Sequence, residues 1–298
     1  MLTSLFESLP PALIYEIILV DDGSTDDTRV WLATLRLPCR VILNEKNFGF
    51  AATCNRGAAA AQGEFLFFLN NDLSFLPAWF EPMLAAFTHV PAAGVVGNRQ
   101  LLFSNHELDH AGIVIGADGK PTHLKTRPTE SSVTQDYAAM PAVTGACLAI
   151  PRELFARLGG YDEDFKNGGE DVDLCFRARA VKRTTCIALN STILHHVSAS
   201  PGRKIHNEEN SYRLFLKWRD LLEQEAWRAW CEAFLSEIRA KTIPSYSEAE
   251  KAAENFLYHR QPRPGRWAES NVRQNLLREQ ARWEQMFPAL SNALAASA

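Results

Sequence analysis

The chain has 298 residues, of which 46% are hydrophobic and 22% are charged, and its net charge is −4. This length and composition are ordinary for a globular protein with one large domain or two, and the charge gives no electrostatic reason to expect a nucleic-acid partner. The six cysteines form no CxxC pair and no close cluster, which predicts reduced thiols. No apolar run approaches the roughly 20 residues of a membrane span, and no signal peptide opens the chain. These features predict a cytoplasmic protein.

Strand and helix patterns alternate in the first third of the chain. The predicted elements are a helix over 2–9, a strand over 16–20, a helix capped by Ser24, a strand over 40–43, a helix over 50–61 and a strand over 65–69. Strands that alternate with helices of about 10 to 15 residues predict an α/β fold, with a mostly parallel, Rossmann-like sheet flanked by helices.

The strand over 65–69 is the centre of this pattern. Its five apolar residues form an unbroken run rich in phenylalanine, which favours a strand buried on both faces. The run ends abruptly in Asn70, Asn71 and Asp72. Because ligands of open α/β sheets bind beyond the carboxyl ends of the strands, these side chains lie where a crevice is expected. A carboxylate there can hold a hard cation, which in turn can hold a diphosphate.

The pattern changes after residue 93. The predicted elements are strands over 93–96, 113–115, 142–150, 184–189 and 192–194, a helix opened by Pro151, and a helix that begins at Glu170-Asp171. The polar composition of residues 120–137, which shows no clear period, predicts a long loop. This loop and residues 201–206 are candidates for segments that close over a ligand. From about residue 207 the composition is typical of helices.

Four polar clusters stand at predicted strand ends or helix starts. They are Asp21-Asp22, Asn71-Asp72, Glu170-Asp171 and His195-His196. Taken singly, an acidic pair caps a helix more often than it catalyses a reaction, and a histidine pair is more often hydrogen-bonded at the surface than bound to metal. The combination is more specific than any single cluster.

In order along the chain, six segments resemble motifs of the family 2 glycosyltransferases with the A-type fold. They are VDDGSTD at 20–26, NFGFA at 47–51 with NRG at 55–57, FLNND at 68–72, VTGAC at 143–147 with GGYD at 159–162, GEDVDL at 169–174 with Arg177, and LHH at 194–196 with SAS at 198–200. The resemblance covers about residues 13–220. It implies a catalytic domain over 1–205, with a nucleotide-binding half at about 1–98 and an acceptor half at about 99–205. Residues 206–298 would be a helical C-terminal extension.

The resemblance also implies the chemistry. Family members of this kind transfer a sugar from a nucleoside diphosphate sugar, with inversion, to a glycan or lipid-linked glycan acceptor. We expect a UDP- or dTDP-sugar donor, with a rhamnosyl group as one option, and a role in surface polysaccharide synthesis. Asp72 stands at the DxD position, where Asn70 replaces the first acid. Asp72 would bind Mg²⁺ or Mn²⁺ with His195, which the motif favours over His196, and a histidine ligand favours manganese.

The remaining roles follow from the same alignment. Asp22 would bind the base and Arg56 would lie near the base or the diphosphate, while Asp21, Ser24 and Asn71 would complete the donor site. Asp171 would be the catalytic base. Because Asp171 begins a helix, we expect the helix dipole to stabilise the carboxylate and weaken it as a base.

One departure from the family leaves an alternative open. The family normally opens with a strand that touches the nucleotide base, and this chain begins inside the helix that should follow that strand. A missing central strand would leave unpaired edges. A non-catalytic sugar-nucleotide-binding module is therefore the alternative to an enzyme. A sugar nucleotidyltransferase would need a glycine-rich, basic phosphate loop near the N-terminus, and the sequence has none.

The helical tail has two interpretations. Trp267 and Trp283, with Arg263, Arg266 and Arg282, could form a basic aromatic face for a partner or for the inner face of the membrane. A solvated set of helices packed on the core is the favoured interpretation.

Overall fold

The structure is a computed structural model that describes residues 1–128, 133–134, 136–196, 205–245, 247–259 and 261–290. The elements of its first ninety residues are α1 (Leu2–Ser8), β1 (Ile18–Asp21), α2 (Thr28–Thr34), β2 (Arg40–Leu43), α3 (Phe50–Ala60), β3 (Phe65–Leu69), β4 (Leu73–Phe75) and α4 (Phe80–His89). The strands and helices predicted in this region are present. The Ser24 cap is wrong, because α2 begins at Thr28 with Asp27 as its N-cap residue.

The middle of the chain supplies most of the strands. They are β5 (Ala93–Leu102), β6 (Leu108–His110), β7 (Ile113–Ile115), β8 (Pro121–His123), β9 (Val133–Thr134), β10 (Tyr137–Ala139), β11 (Cys147–Pro151) and β12 (Thr184–His195), with α5 (Arg152–Arg157) and α6 (Glu170–Ala180) between the last two. The loop predicted over 120–137 lies partly outside the described residues, and β8, at its start, pairs with β7. Residues 198–200 and 201–204 also lie outside them.

The largest sheet of the described residues has eight strands. Its main path runs β3-β11-β5-β12-β10-β9, with β4 joined to β12 and β6 joined to β5. The pair β5–β12 is parallel, whereas β11 is antiparallel to both β3 and β5. The α/β fold class is confirmed, but the pairing is mixed rather than mostly parallel. β3, β5 and β12 do run in one direction, and the insertion of β11 between the first two changes the pairing.

The core lies on both faces of this sheet, because alternate residues of each strand point to opposite sides. On one face Phe68 and Val95 pack with residues of α6 and of the C-terminal helices. On the other face Phe67 and Val96 pack with residues of α1 and α4. The sheet therefore anchors helices from both ends of the chain.

The strands β1 and β2 form a separate, parallel, two-stranded sheet. Within the described residues β1 pairs only with β2, and β3 pairs only with β11. The starts of β1 and β3 are nevertheless close, since the Glu16 carboxylate accepts hydrogen bonds from the backbone N–H groups of Gln62 (2.6 Å) and Gly63 (3.0 Å). One edge of each strand therefore has no ladder partner in this part of the chain.

The C-terminal region is helical, as expected. Its helices are α7 (Asn207–Arg239), α8 (Ser247–Tyr258) and α9 (Arg266–Met286), and α7 contains a kink at Trp218. Trp283 is fully buried, and its indole N–H donates a hydrogen bond to Glu208 (2.7 Å). Among the described helices, none combines the length and apolarity needed to cross a bilayer.

Candidate functional site

Asp72 and His195 meet at one end of the large sheet. Asp72 precedes β4, and the antiparallel register of β4 on β12 places Leu73 opposite His195. As a result, His195 Nε2 lies 3.2 Å from Asp72 Oδ2, and both side chains are largely buried. A carboxylate and an imidazole side by side are a donor set that suits a divalent transition metal. The described residues offer no group of three or more such side chains, so these two would hold a metal only with ligands from elsewhere.

The neighbouring histidine points to other groups. His196 Nε2 lies 3.2 Å from Ser74 Oγ, and the ring of His196 stacks on Phe103 with 3.8 Å between centroids. Its backbone N–H donates to the Asp72 carbonyl (2.9 Å). Of the two histidines, His195 is therefore the one whose ring faces the Asp72 carboxylate.

Asp171 lies at the start of α6, after a left-handed N-cap residue, Gly169. One carboxylate oxygen accepts the backbone N–H of Gly145 (2.9 Å) and the other accepts that of Val172 (2.8 Å). Burial raises the pKa of Asp171, and it outweighs the opposing effects of the Gly145 N–H and of nearby His123. The expectation of a weakened base is therefore wrong, because desolvation dominates over the helix start.

Gly145 packs closely against the first residues of both α3 and α6. A Cβ at this position would lie 3.2 Å from the ring of Phe50 and 3.5 Å from the Asp171 Cβ. The backbone N–H of Phe50 in turn donates to Asn167 Oδ1 (3.4 Å). The beginning of α3 and the loop before α6 are thus packed together around this glycine.

Asp22 and Arg56 belong to one hydrogen-bond network. Asp22 accepts hydrogen bonds from the Asn44 side chain (2.8 Å) and from the backbone N–H groups of Phe48 (3.0 Å) and Gly49 (2.9 Å). Although burial acts to raise it, these bonds lower the pKa of Asp22. Arg56 donates to the Asn44 Oδ1 (2.7 Å). Asn44 is buried and joins the two residues, a role that sequence reasoning missed.

Asp21 and Ser24 face each other across the turn after β1. The buried Asp21 carboxylate accepts the Ser24 backbone N–H (3.3 Å) and the Arg29 Nε (2.8 Å). Burial opposes these contacts, but they lower the pKa of Asp21. Its contacts therefore hold the turn together. Asn71, by contrast, is exposed beside Asp72.

Two further histidines, His110 and His123, lie near the site. His110 is fully buried, neither of its ring nitrogens has a hydrogen-bond partner among the described residues, and its ring centroid is 4.8 Å from that of His123. Burial, followed by the charges of His123 and His195, holds the pKa of His110 well below its usual range. Nothing in the sequence around either residue indicated this cluster.

The fold is the A-type fold of glycosyltransferases. Residues 1–159 match the family described as Glycosyl transferase family 2, which is more than half of the chain. The chain therefore belongs to that family.

Two curated relatives are similar to this chain in sequence. The chain is 33% identical over 195 residues to the O-antigen biosynthesis protein RfbC of Myxococcus xanthus, an alignment that covers 62% of this chain and 15% of that protein. It is 27% identical over 241 residues to polypeptide N-acetylgalactosaminyltransferase 11 of Xenopus tropicalis, covering 73% and 39%. The chain thus spans well under half the length of these relatives.

Solved structures show the same fold. GalNAc-T7 with UDP, GalNAc and Mn²⁺ superposes with a TM-score of 0.62 and 19% identity, over 86% of this chain and 50% of that one. The mannosyltransferase PcManGT of Pyrobaculum calidifontis, in complex with GDP-Man and Mn²⁺, gives a TM-score of 0.52 and 18% identity, over 93% and 81%. At these identities the likeness establishes the fold alone.

Proposed function

We propose that this chain is an inverting, metal-dependent glycosyltransferase that moves a hexosyl or deoxyhexosyl group from a UDP- or dTDP-sugar to a glycan or lipid-linked glycan. The observation that carries the proposal is the contact of His195 Nε2 with Asp72 Oδ2, at 3.2 Å, at the sheet end where a diphosphate would lie. Membership of the glycosyltransferase family supports the reaction type.

The metal would be Mn²⁺ or Mg²⁺, held by Asp72 and His195, with diphosphate oxygens completing its ligands. When bound, it would act as a Lewis acid that stabilises the negative charge of the departing diphosphate. Both structural neighbours are complexes with Mn²⁺, which supports this assignment. A two-residue site on the protein fits a metal that is bound together with the donor.

Asp171 would be the base. The proton of the acceptor hydroxyl passes to the Asp171 carboxylate as the hydroxyl oxygen bonds to the anomeric carbon. The bond between that carbon and the phosphate oxygen breaks, and its electron pair leaves with the diphosphate. Attack from the face opposite the leaving group inverts the anomeric centre. The raised pKa of Asp171 supports this role, because it makes the carboxylate a better proton acceptor than an ordinary aspartate.

The nucleotide would bind on the side of α3. Asp22 and Arg56, already linked through Asn44, would contact the base and the diphosphate, and exposed Asn71 would lie beside the donor. Asp21 and Ser24 would support the turn that carries Asp22. The neighbouring structures are complexes with UDP and with GDP-Man, which supports a nucleoside diphosphate donor.

The unpaired edges of β1 and β3 are relevant to the choice between an enzyme and a non-catalytic binding module. We propose that the strand which normally opens the family's fold adds between them, because each edge has no ladder partner in the described residues. If this position stays empty, a module that binds sugar nucleotides without turnover is the second candidate. The half-buried residues of β1 favour that candidate, whereas the Asp72–His195 pair and Asp171 favour the enzyme.

The biological setting is part of the proposal. The similarity to a protein named for O-antigen biosynthesis supports a role in surface polysaccharide synthesis, with a rhamnosyl group as one candidate for transfer. We propose that the reaction takes place in the cytoplasm, where nucleotide sugars are made, at the inner face of the membrane when the acceptor is lipid-linked.

Isothermal titration with UDP, dTDP and GDP, each with and without Mn²⁺, tests the proposal. We expect one nucleotide to bind with micromolar affinity only in the presence of Mn²⁺, and Asp72→Ala to abolish that binding. Asp220→Ala, which removes an exposed aspartate of α7, should leave it unchanged. Binding without sugar transfer from any donor of that nucleotide would favour the non-catalytic module. No binding of any nucleotide would overturn both functions.

A further inference from the structure

The loop that leads into α6 has an unusual backbone. Its three successive residues Asn167, Gly168 and Gly169 have φ values of 51°, 152° and 90°, all in the region that favours glycine. Glycines adopt such angles without strain, but they also leave the chain free to adopt many others. Asp171 is two residues beyond this loop. Its placement therefore depends on contacts that fix the loop from outside.

Asn210 of α7 provides such a contact. Its Nδ2 donates to the Lys166 carbonyl (3.0 Å), and its Oδ1 accepts the Lys166 backbone N–H (3.1 Å). Asn210 is 3% exposed, so both hydrogen bonds are shielded from water. A single side chain thus satisfies both backbone groups of the residue immediately before the loop.

Asn210 also packs against the loop. A Cβ on Gly168 would lie 3.5 Å from the Asn210 Nδ2, and one on Gly169 would lie 3.5 Å from the Asn210 Cβ. Inside the loop, the Gly168 N–H donates to Glu170 Oε2 (2.7 Å) and the Asp173 N–H donates to the Gly169 carbonyl (2.9 Å). The contacts form a continuous path from α7 to the first turn of α6.

The same helix holds α6 on the other side of Asp171. The fully buried Asp173 carboxylate accepts hydrogen bonds from Trp218 Nε1 (2.8 Å) and from Arg177 Nε (2.7 Å). Trp218 is the residue at which α7 kinks. Helix α7 therefore contacts the beginning of α6 at two points that flank Asp171.

We propose that Asn210 is a positioning residue for Asp171. Its paired hydrogen bonds to Lys166 fix the Asn167–Gly168–Gly169 loop, and the loop sets where the Asp171 carboxylate lies relative to Gly145 and the acceptor. The inference rests on the proposed function, because Asp171 acts as the base only there. It also makes α7 part of the catalytic unit, although this helix begins after residue 205, where the catalytic domain was expected to end.

Two variants and a matched control test the proposal. Asn210→Ala removes both hydrogen bonds, and Asn210→Asp keeps the size and the acceptor but removes the donor to the Lys166 carbonyl. Asp220→Ala, ten residues further along α7 and exposed, is the control. Hydrogen exchange of the ligand-free proteins measures how readily the backbone N–H groups of the loop become exposed to solvent. Steady-state transfer, with the donor identified by titration, reports kcat and KM separately.

We expect faster exchange confined to residues 166–173 in both Asn210 variants, and none in the control. We also expect kcat to fall about 10- to 100-fold, as for a small misplacement of a catalytic group, with the donor KM changed by less than about threefold. Asn210→Asp places a carboxylate oxygen against the Lys166 carbonyl, so its effect should be at least as large as that of Asn210→Ala. The melting temperature should stay within a few degrees of wild type.

Three results would overturn the proposal. They are unchanged exchange in the loop, faster exchange with an unchanged kcat, and a general increase of exchange that shows a merely structural role. If wild-type protein binds nucleotide but transfers no sugar, the proposed function fails instead. In that case, the exchange measurement alone still decides whether Asn210 fixes the loop.

Discussion

The eight-stranded sheet and the two-stranded β1–β2 sheet differ sharply in how well they are buried. Most residues of β5, β11 and β12 are buried, and helices cover both faces of the sheet. In β1 and β2 only Asp21 is buried, and Leu43 of β2 is 51% exposed. Parallel strands are normally covered on both faces. We therefore expect the smaller sheet to be less stable than the large one.

The residues proposed for catalysis and those proposed for nucleotide binding are associated with different sheets. Asp72, His195 and Asp171 lie on elements of the large sheet or of a helix packed on it, whereas Asp22 follows β1. Catalytic geometry requires placement to within a fraction of an ångström, and recognition of a base tolerates more. We therefore expect the side chains of Asp72, His195 and Asp171 to be fixed in the free protein, and the nucleotide side to become ordered on binding.

The largest expected effect is the loss of kcat when Asp171, the proposed catalytic base, is replaced. Asp171→Asn keeps the shape of the side chain but cannot accept a proton, so kcat should fall about 100- to 10,000-fold while nucleotide affinity is unchanged. Steady-state kinetics and titration with the same nucleotide measure the two quantities. Asp164→Asn changes an aspartate side chain that is 78% exposed, and should leave both quantities unchanged. A kcat within threefold of wild type for Asp171→Asn would exclude Asp171 as the base.

The buried carboxylate that joins α6 to α7 should dominate stability. Asp173→Ala leaves the charges of Arg177 and Lys217 without their shared partner, which should lower the free energy of unfolding by about 3–5 kcal/mol. Urea denaturation measures the change, and Asp220→Ala serves as the exposed counterpart on α7. A loss below about 1 kcal/mol would mean that water already reaches this cluster.

A pair of truncations compares the two sheets directly. Ile150 of β11 is completely buried, so Ile150→Ala should cost about 2–5 kcal/mol. Leu43→Ala removes a half-exposed side chain of β2 and should cost less than about 1 kcal/mol. Chemical denaturation of both variants gives the comparison. Similar costs at the two positions would show that β2 is covered in solution and would contradict the comparison.

The smallest expected effect is a loss of stability of the β1–β2 sheet at acid pH. The pKa values of Asp21 and Asp22 are lowered in the folded protein, so their contribution to stability is present above the ordinary value of 3.8. It is lost as the pH falls through the lowered values. Hydrogen exchange of residues 18–49 should therefore increase at acid pH before that of β5 and β12. Simultaneous exposure of both sheets would contradict this order.

Some of the site could be predicted because local patterns determine it. The apolar run of β3 ends three residues before Asp72, and the last residue of β12 is His195. Strand ends therefore indicated both polar clusters, and the family resemblance selected Asp72 and His195 within them. The separation of His195 from His196 follows from the strand register, since neighbouring residues of a strand point to opposite faces.

Other features depend on contacts between distant segments. Asn44 joins Asp22 to Arg56, and Asn210 reaches Lys166 across more than forty residues, so neither has a local signature. The raised pKa of Asp171 reflects the surfaces that bury it rather than its position at a helix start. The antiparallel insertion of β11 likewise depends on long-range pairing with β3 and β5.

The most direct test of this account is electron paramagnetic resonance of Mn²⁺ in the presence of the nucleotide that binds. Wild-type protein should bind Mn²⁺ with nucleotide, and Asp72→Ala and His195→Ala should each weaken that binding at least tenfold. His196→Ala, whose ring contacts Ser74 and Phe103 instead, should bind as the wild type does. Loss of binding in His196→Ala with none in His195→Ala would contradict the proposed metal site.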